Sequence, residues 1–99
     1  MSVLLRLLLV EDSENDALLL ERELTRGGFT PIVERVETAG ALTAALDRQP
    51  WDIVVGDYSM PQFGGAAALE LVRQRGIDVP FIIVSGTIGE ERRSNPFLQ

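Results

Sequence analysis

The sequence predicts an α/β domain built on a parallel sheet. Four apolar runs alternate with three stretches whose apolar residues recur at helical spacing, an order of β-α-β-α-β-α-β. Strands separated by helices of about ten residues favour parallel pairing through right-handed crossovers. A second observation lies at the ends of two of these runs. Leu7-Leu8-Leu9-Val10 ends on Glu11-Asp12, and Val54-Val55-Gly56 ends on Asp57 before a Pro- and Gly-punctuated loop. In an open parallel sheet, ligands bind outside the carboxyl ends of the strands. Two strands therefore deliver acid to one rim.

Residues 4–10 are nearly continuously apolar, the pattern of a strand covered on both faces. Arg6 interrupts the run, acid follows it and no small-residue cleavage site is present. It reads as a first strand rather than a signal peptide or a membrane span, which needs about 20 apolar residues. Ser13 offers an N-cap with Asp16 three residues on, and Ala17, Leu20 and Leu24 follow at helical spacing until Gly27-Gly28 stops the helix. Residues 30–36 carry Ile32, Val33 and Val36 among Glu34 and Arg35, a strand with charge in it as expected at a sheet edge. Thr38 caps a second helix that turns Leu42, Ala45 and Leu46 inward and ends before Pro50.

The third strand is expected over residues 51–56, closed by Asp57, with Trp51 in the core or at its rim. The third helix, residues 66–75, places Ala68, Leu71 and Val72 on one face, with Gly76 just past its end. Pro80 introduces a last strand, Phe81-Ile82-Ile83-Val84, which runs into Ser85-Gly86. Beyond Gly89 the pattern stops. Residues 90–95 offer no apolar side chain to a core and Pro96 blocks helix continuation, so an irregular tail is expected.

With 99 residues the chain has room for one domain. It contains no cysteine and no histidine, which excludes disulfides, thiolate metal sites and imidazole chemistry. All nine basic residues are arginines. A net charge of −6 argues against non-specific nucleic-acid binding, which needs a basic surface. A cytoplasmic location is the default expectation.

If the sheet is parallel, Glu11, Asp12, Asp57 and Ser85 reach one edge. Carboxylates gathered there repel one another and call for a cation, and hard oxygen ligands suit Mg²⁺. The chemistry that follows is phosphoryl transfer, with a carboxylate oxygen of Asp57 as nucleophile and the Ser85 hydroxyl within reach of a phosphoryl oxygen. Taken singly, Asp12 and Asp57 read as turn formers or as acids placed before a helix, Ser13 as a cap and Ser85-Gly86 as turn chemistry. Their concurrence after three separate strands favours the site.

These features resemble the receiver domain of two-component response regulators. The matching segments are Leu8-Leu9-Val10-Glu11-Asp12-Ser13, then Asp57-Tyr58-Ser59-Met60-Pro61 with Gly65, then Pro80-Phe81-Ile82-Ile83-Val84-Ser85-Gly86. The resemblance implies a flavodoxin-like, doubly wound sheet and phosphorylation of Asp57 from the phosphohistidine of a sensor histidine kinase or phosphotransfer protein. It further implies Mg²⁺ ligation by Asp12, Asp57 and the backbone carbonyl of Ser59, with Glu11 acting through metal-bound water and Ser85 as the switch hydroxyl.

The family pattern continues through a fourth helix, a fifth strand and a fifth helix. The expectation here is a truncated receiver domain over residues 1–91, strand order 2-1-3-4 with the fifth strand and fifth helix missing, and a tail over 92–99. The family's phosphate-contacting lysine has no counterpart, and Arg92 and Arg93 on the tail are not expected to replace it. An uncovered fourth strand predicts a homodimer or higher assembly. The leading expectation is a phosphoacceptor signalling domain rather than an enzyme, catalysing at most its own phosphorylation and dephosphorylation, and the competing reading is a receiver remnant that takes no phosphate and acts as an interaction or dimerisation module. A phosphohydrolase would need a second acid where Ser59 stands, and a dinucleotide site would need a glycine fingerprint after the first strand.

Overall fold

The computed structural model describes residues 2–60 and 62–84. Four strands, β1 (Val3–Val10), β2 (Phe29–Val36), β3 (Ile53–Asp57) and β4 (Phe81–Val84), alternate with three helices, α1 (Glu14–Arg26), α2 (Ala39–Arg48) and α3 (Gly65–Gln74). The strands form one parallel sheet in the order β2-β1-β3-β4. The α/β architecture and strand order expected from the sequence are therefore present. The expected tail and Ser85 lie outside the described residues, as does Pro61.

β1 is central, and its run Leu7-Leu8-Leu9-Val10 is fully buried because the two faces serve two different layers. Leu8 and Val10 pack with Val36, Leu42, Ala45, Leu46, Val54, Ala68 and Val72 under α2 and α3. Leu7 and Leu9 pack with Val55, and Ala17, Leu20 and Leu24 of α1 close over them. Burying one such leucine is worth roughly 1.5–3 kcal/mol, so an uninterrupted apolar run at the centre holds both layers at once.

The helix ends follow their caps. Ser13 Oγ accepts from the Asp16 amide and Thr38 Oγ1 from the Ala41 amide, each at 3.1 Å, satisfying a free N–H of the first turn. Gly76, at φ +70°, takes the left-handed conformation just past α3.

β3 begins at Ile53, two residues later than expected. Trp51 is drawn elsewhere: its indole N–H donates to the Ala45 carbonyl at 2.9 Å, one of the last-turn acceptors of α2, and its ring packs on the core under α2 and α3. Asp52 then ties the chain to β1, its amide donating to the Arg6 carbonyl and its carboxylate accepting from the Arg6 amide. α3 starts at Gly65, one residue earlier than expected, with Gly64 as a cap that offers no side chain.

Candidate functional site

Leu9 pairs with Val55 across β1 and β3. Side chains alternate faces along a strand, so Glu11 and Asp57, each two positions further on, emerge side by side at the carboxyl rim. Asp12 joins them from the turn into α1, and one carboxylate oxygen from each of Glu11, Asp12 and Asp57 lies within 4.8 Å of the others. Glu11 is only 1% exposed and Asp57 7%, whereas Asp12 is open to solvent.

Backbone contacts fix the arrangement. The Glu11 amide donates to the Val36 carbonyl at 3.1 Å, and Glu11 Oε2 accepts from the Ser13 amide at 3.1 Å. Asp57 Oδ1 accepts from the Ser59 amide at 2.9 Å, and the Tyr58 amide donates to the Val84 carbonyl at 2.8 Å. Beneath Asp57, Gly56 lets α3 approach the sheet: a Cβ there would stand 2.9 Å from the Gly65 Cα.

Glu11 carries the electrostatic signature of the site. Burial above all, then the charge of Asp57, pushes its carboxyl up from the ordinary 4.5 to about 7; Asp16 and Asp12 add to the rise and the Ser13 amide opposes it. Its Oε1 is buried without a hydrogen-bond partner among the described residues. Two like charges about 4 Å apart repel by about 4 kcal/mol at an effective dielectric of ~20. A hard cation would relieve that repulsion and could partner the orphaned oxygen, and an all-oxygen donor set is the kind Mg²⁺ takes. The residues present fit the ion.

The structure thus brings together Glu11, Asp12 and Asp57 as the sequence predicted. For Ser59 the described contact is its amide on Asp57, while its expected carbonyl ligation stays an expectation. One neighbour escaped the sequence reading. Arg35, taken there as an edge charge, donates from Nη1 to the Glu11 carbonyl at 3.3 Å and to Glu37 Oε2 at 2.7 Å. The signal lay in its position one residue before the end of a strand that pairs with β1.

Residues 7–95 match the response regulator receiver domain family. The chain belongs to that family. Among curated relatives, this receiver domain is 34% identical over 79 residues to response regulator ArlR of Staphylococcus epidermidis, covering 80% of this chain and 35% of the relative. It is 31% identical over 84 residues to a two-component response regulator of Oryza sativa subsp. japonica, covering 83% of this chain and 66% of that protein. The receiver domain therefore spans about a third of the first relative's length. Among solved structures it is similar to a sensor protein from Polaromonas sp. JS666, with a TM-score of 0.69 at 26% identity over 93% of this chain and 74% of the other. The receiver domain of a sensor histidine kinase from Pseudomonas aeruginosa PAO1 shares the fold, with a TM-score of 0.64 at 23% identity over 95% of this chain and 77% of the other. That structure has a magnesium ion coordinated in its active site cleft.

Proposed function

We propose that this receiver domain accepts a phosphoryl group on Asp57 from the phosphohistidine of a sensor histidine kinase or phosphotransfer protein. The observation that carries the reading is the buried Glu11–Asp57 pair with Asp12 beside it, one oxygen of Glu11 lacking any partner among the described residues. Glu11, Asp12, Asp57 and the Ser59 carbonyl would hold Mg²⁺ at this rim. When bound, the ion neutralises the acids and offsets negative charge on the transferred group.

A carboxylate oxygen of Asp57 attacks phosphorus, the P–N bond breaks, and its electron pair stays on the imidazole nitrogen of the donor. The product is an acyl phosphate on Asp57. The Ser59 amide on Oδ1 orients the nucleophile. Ser85 is the hydroxyl that reads the phosphoryl group. The domain acts as a phosphoacceptor, with at most its own phosphorylation and dephosphorylation as catalysis, and works in the cytoplasm. The net charge of −6 supports a role without direct nucleic-acid contact.

Intact-mass measurement after incubation with Mg²⁺ and acetyl phosphate, beside Asp57→Asn, tests the reading. One phosphoryl adduct on the parent and none on the variant is the expected result. Absence of an adduct on a folded parent overturns it.

A second reading, self-association through β4, is favoured by Ile82, which is 47% exposed on the outermost strand of the described sheet. Light scattering that finds a dimer whose population is indifferent to Asp57→Asn supports this reading, and a monomer counts against it.

A further inference from the structure

The parallel register sets Arg35, Leu9 and Val55 in one row across β2, β1 and β3. The next row on that face, two positions further along each chain, is Glu37, Glu11 and Asp57. Arg35 thus lies one row beneath the acids and reaches up to Glu37 and to the Glu11 backbone. Its Nη1 donates both to the Glu11 carbonyl and to Glu37 Oε2, and its side chain is only 28% exposed. Among the described residues it is the cation recorded in contact with the acid-bearing turn.

Backbone amides supply further ties on that turn. The Glu11 amide is held by Val36, Glu11 Oε2 by the Ser13 amide, and Ser13 Oγ by the Asp16 amide. The peptide between Glu11 and Asp12 carries both acids of the turn, and its carbonyl is the group that Arg35 grips. The path of the chain through this peptide sets where the Asp12 carboxylate stands relative to Glu11 and Asp57.

Resting on the acceptor reading above, we propose that Arg35 is a positioning residue of the divalent-cation site. It clamps the Glu11–Asp12 peptide to the end of β2 so that the three carboxylates stay gathered. Glu37 holds the guanidinium on that carbonyl and offsets its charge, so the clamp adds little net positive field next to the cation. The two possible effects of Arg35 on a divalent ion have opposite signs. As a bare charge it repels the ion, and removing it tightens binding. As a clamp it pre-organises the ligands, and removing it weakens binding, in the manner of outer-shell partners whose loss costs about tenfold or more in metal affinity.

Calorimetric titration of Mg²⁺ into the full chain, with folding of each variant verified by circular dichroism, decides between them. Arg35→Met is expected to weaken Mg²⁺ binding about tenfold, and Arg35→Lys, which keeps a charged donor, to recover most of the loss. Affinity equal to or tighter than the parent's in Arg35→Met overturns the inference and leaves Arg35 an edge charge. Should Arg35→Met not fold, Arg35→Gln is read by the same criterion. A parent that takes up Mg²⁺ while the variants match it overturns the inference alone. A parent that binds no Mg²⁺ overturns the acceptor reading together with it.

Discussion

Glu11 stores the electrostatic tension of this domain in a single carboxyl. Because its folded-state value sits near 7 against an ordinary 4.5, the folded protein holds a proton that the unfolded chain has released between those two pH values. The contribution of Glu11 to stability is therefore fully present below about pH 4.5 and is lost as the pH rises through about 7, an effect on the order of 3 kcal/mol. Urea unfolding in the presence of a chelator should show this fall, and Glu11→Gln should flatten it. On the proposed function, saturating Mg²⁺ should oppose the same fall, since an ion held at this rim would favour ionised Glu11 and the folded state. Asp57→Asn removes the second-largest cause of the rise. Without a divalent ion, the variant should be more stable than the parent near pH 8, by about 1 kcal/mol, as read from the urea midpoint.

At Gly56, strand β3 meets the first turn of helix α3 through backbone. A methyl at Gly56 would lie 2.9 Å from the Gly65 Cα and 3.2 Å from two atoms of the Phe81 ring. The ring can turn, whereas the Gly65 Cα belongs to the first turn of α3 and yields only if the helix backbone moves. Gly56→Ala is expected to cost about 1–3 kcal/mol by overpacking. Trimming Phe81 to leucine in the same chain should restore only part of that loss, because the contact with Gly65 remains. Chemical denaturation of the two variants measures both effects. At the start of α1, Ser13→Ala removes the hydroxyl that accepts from the Asp16 amide and should cost about 1 kcal/mol.

At the scale of the molecule, two apolar layers share one central strand, so damage to β1 is felt on both faces. Leu8 is fully buried beneath α2 and α3. Leu8→Ala should destabilise the domain by about 2–5 kcal/mol, a large part of the 5–15 kcal/mol that natural domains typically possess. Thermal unfolding of the variant checks this, and an unchanged midpoint would mean that the α2–α3 core is not the main support of the fold.

Apolar patterning, punctuated by caps, glycines and prolines, determined the order and type of the elements among the described residues, because the buried run of β1 and the 3.6-residue spacing of α1, α2 and α3 allow few other packings. The acids at the ends of β1 and β3 were legible for the same reason: a parallel sheet leaves both at one rim. Tertiary structure decided what local sequence does not encode. Trp51 leaves the strand pattern because α2 ends with an unpaired carbonyl within reach of its indole. The unequal burial of Glu11 and Asp12, adjacent in sequence, arises past the end of β1, where Glu11 continues the row of Leu7 and Leu9 and Asp12 stands in the turn into α1. Arg35 reads as a charged edge residue until register sets it beneath Glu11, 24 positions away along the chain. Composition and periodicity report which face a residue occupies, whereas hydrogen bonds between residues distant in sequence form only once strand pairing has fixed their register.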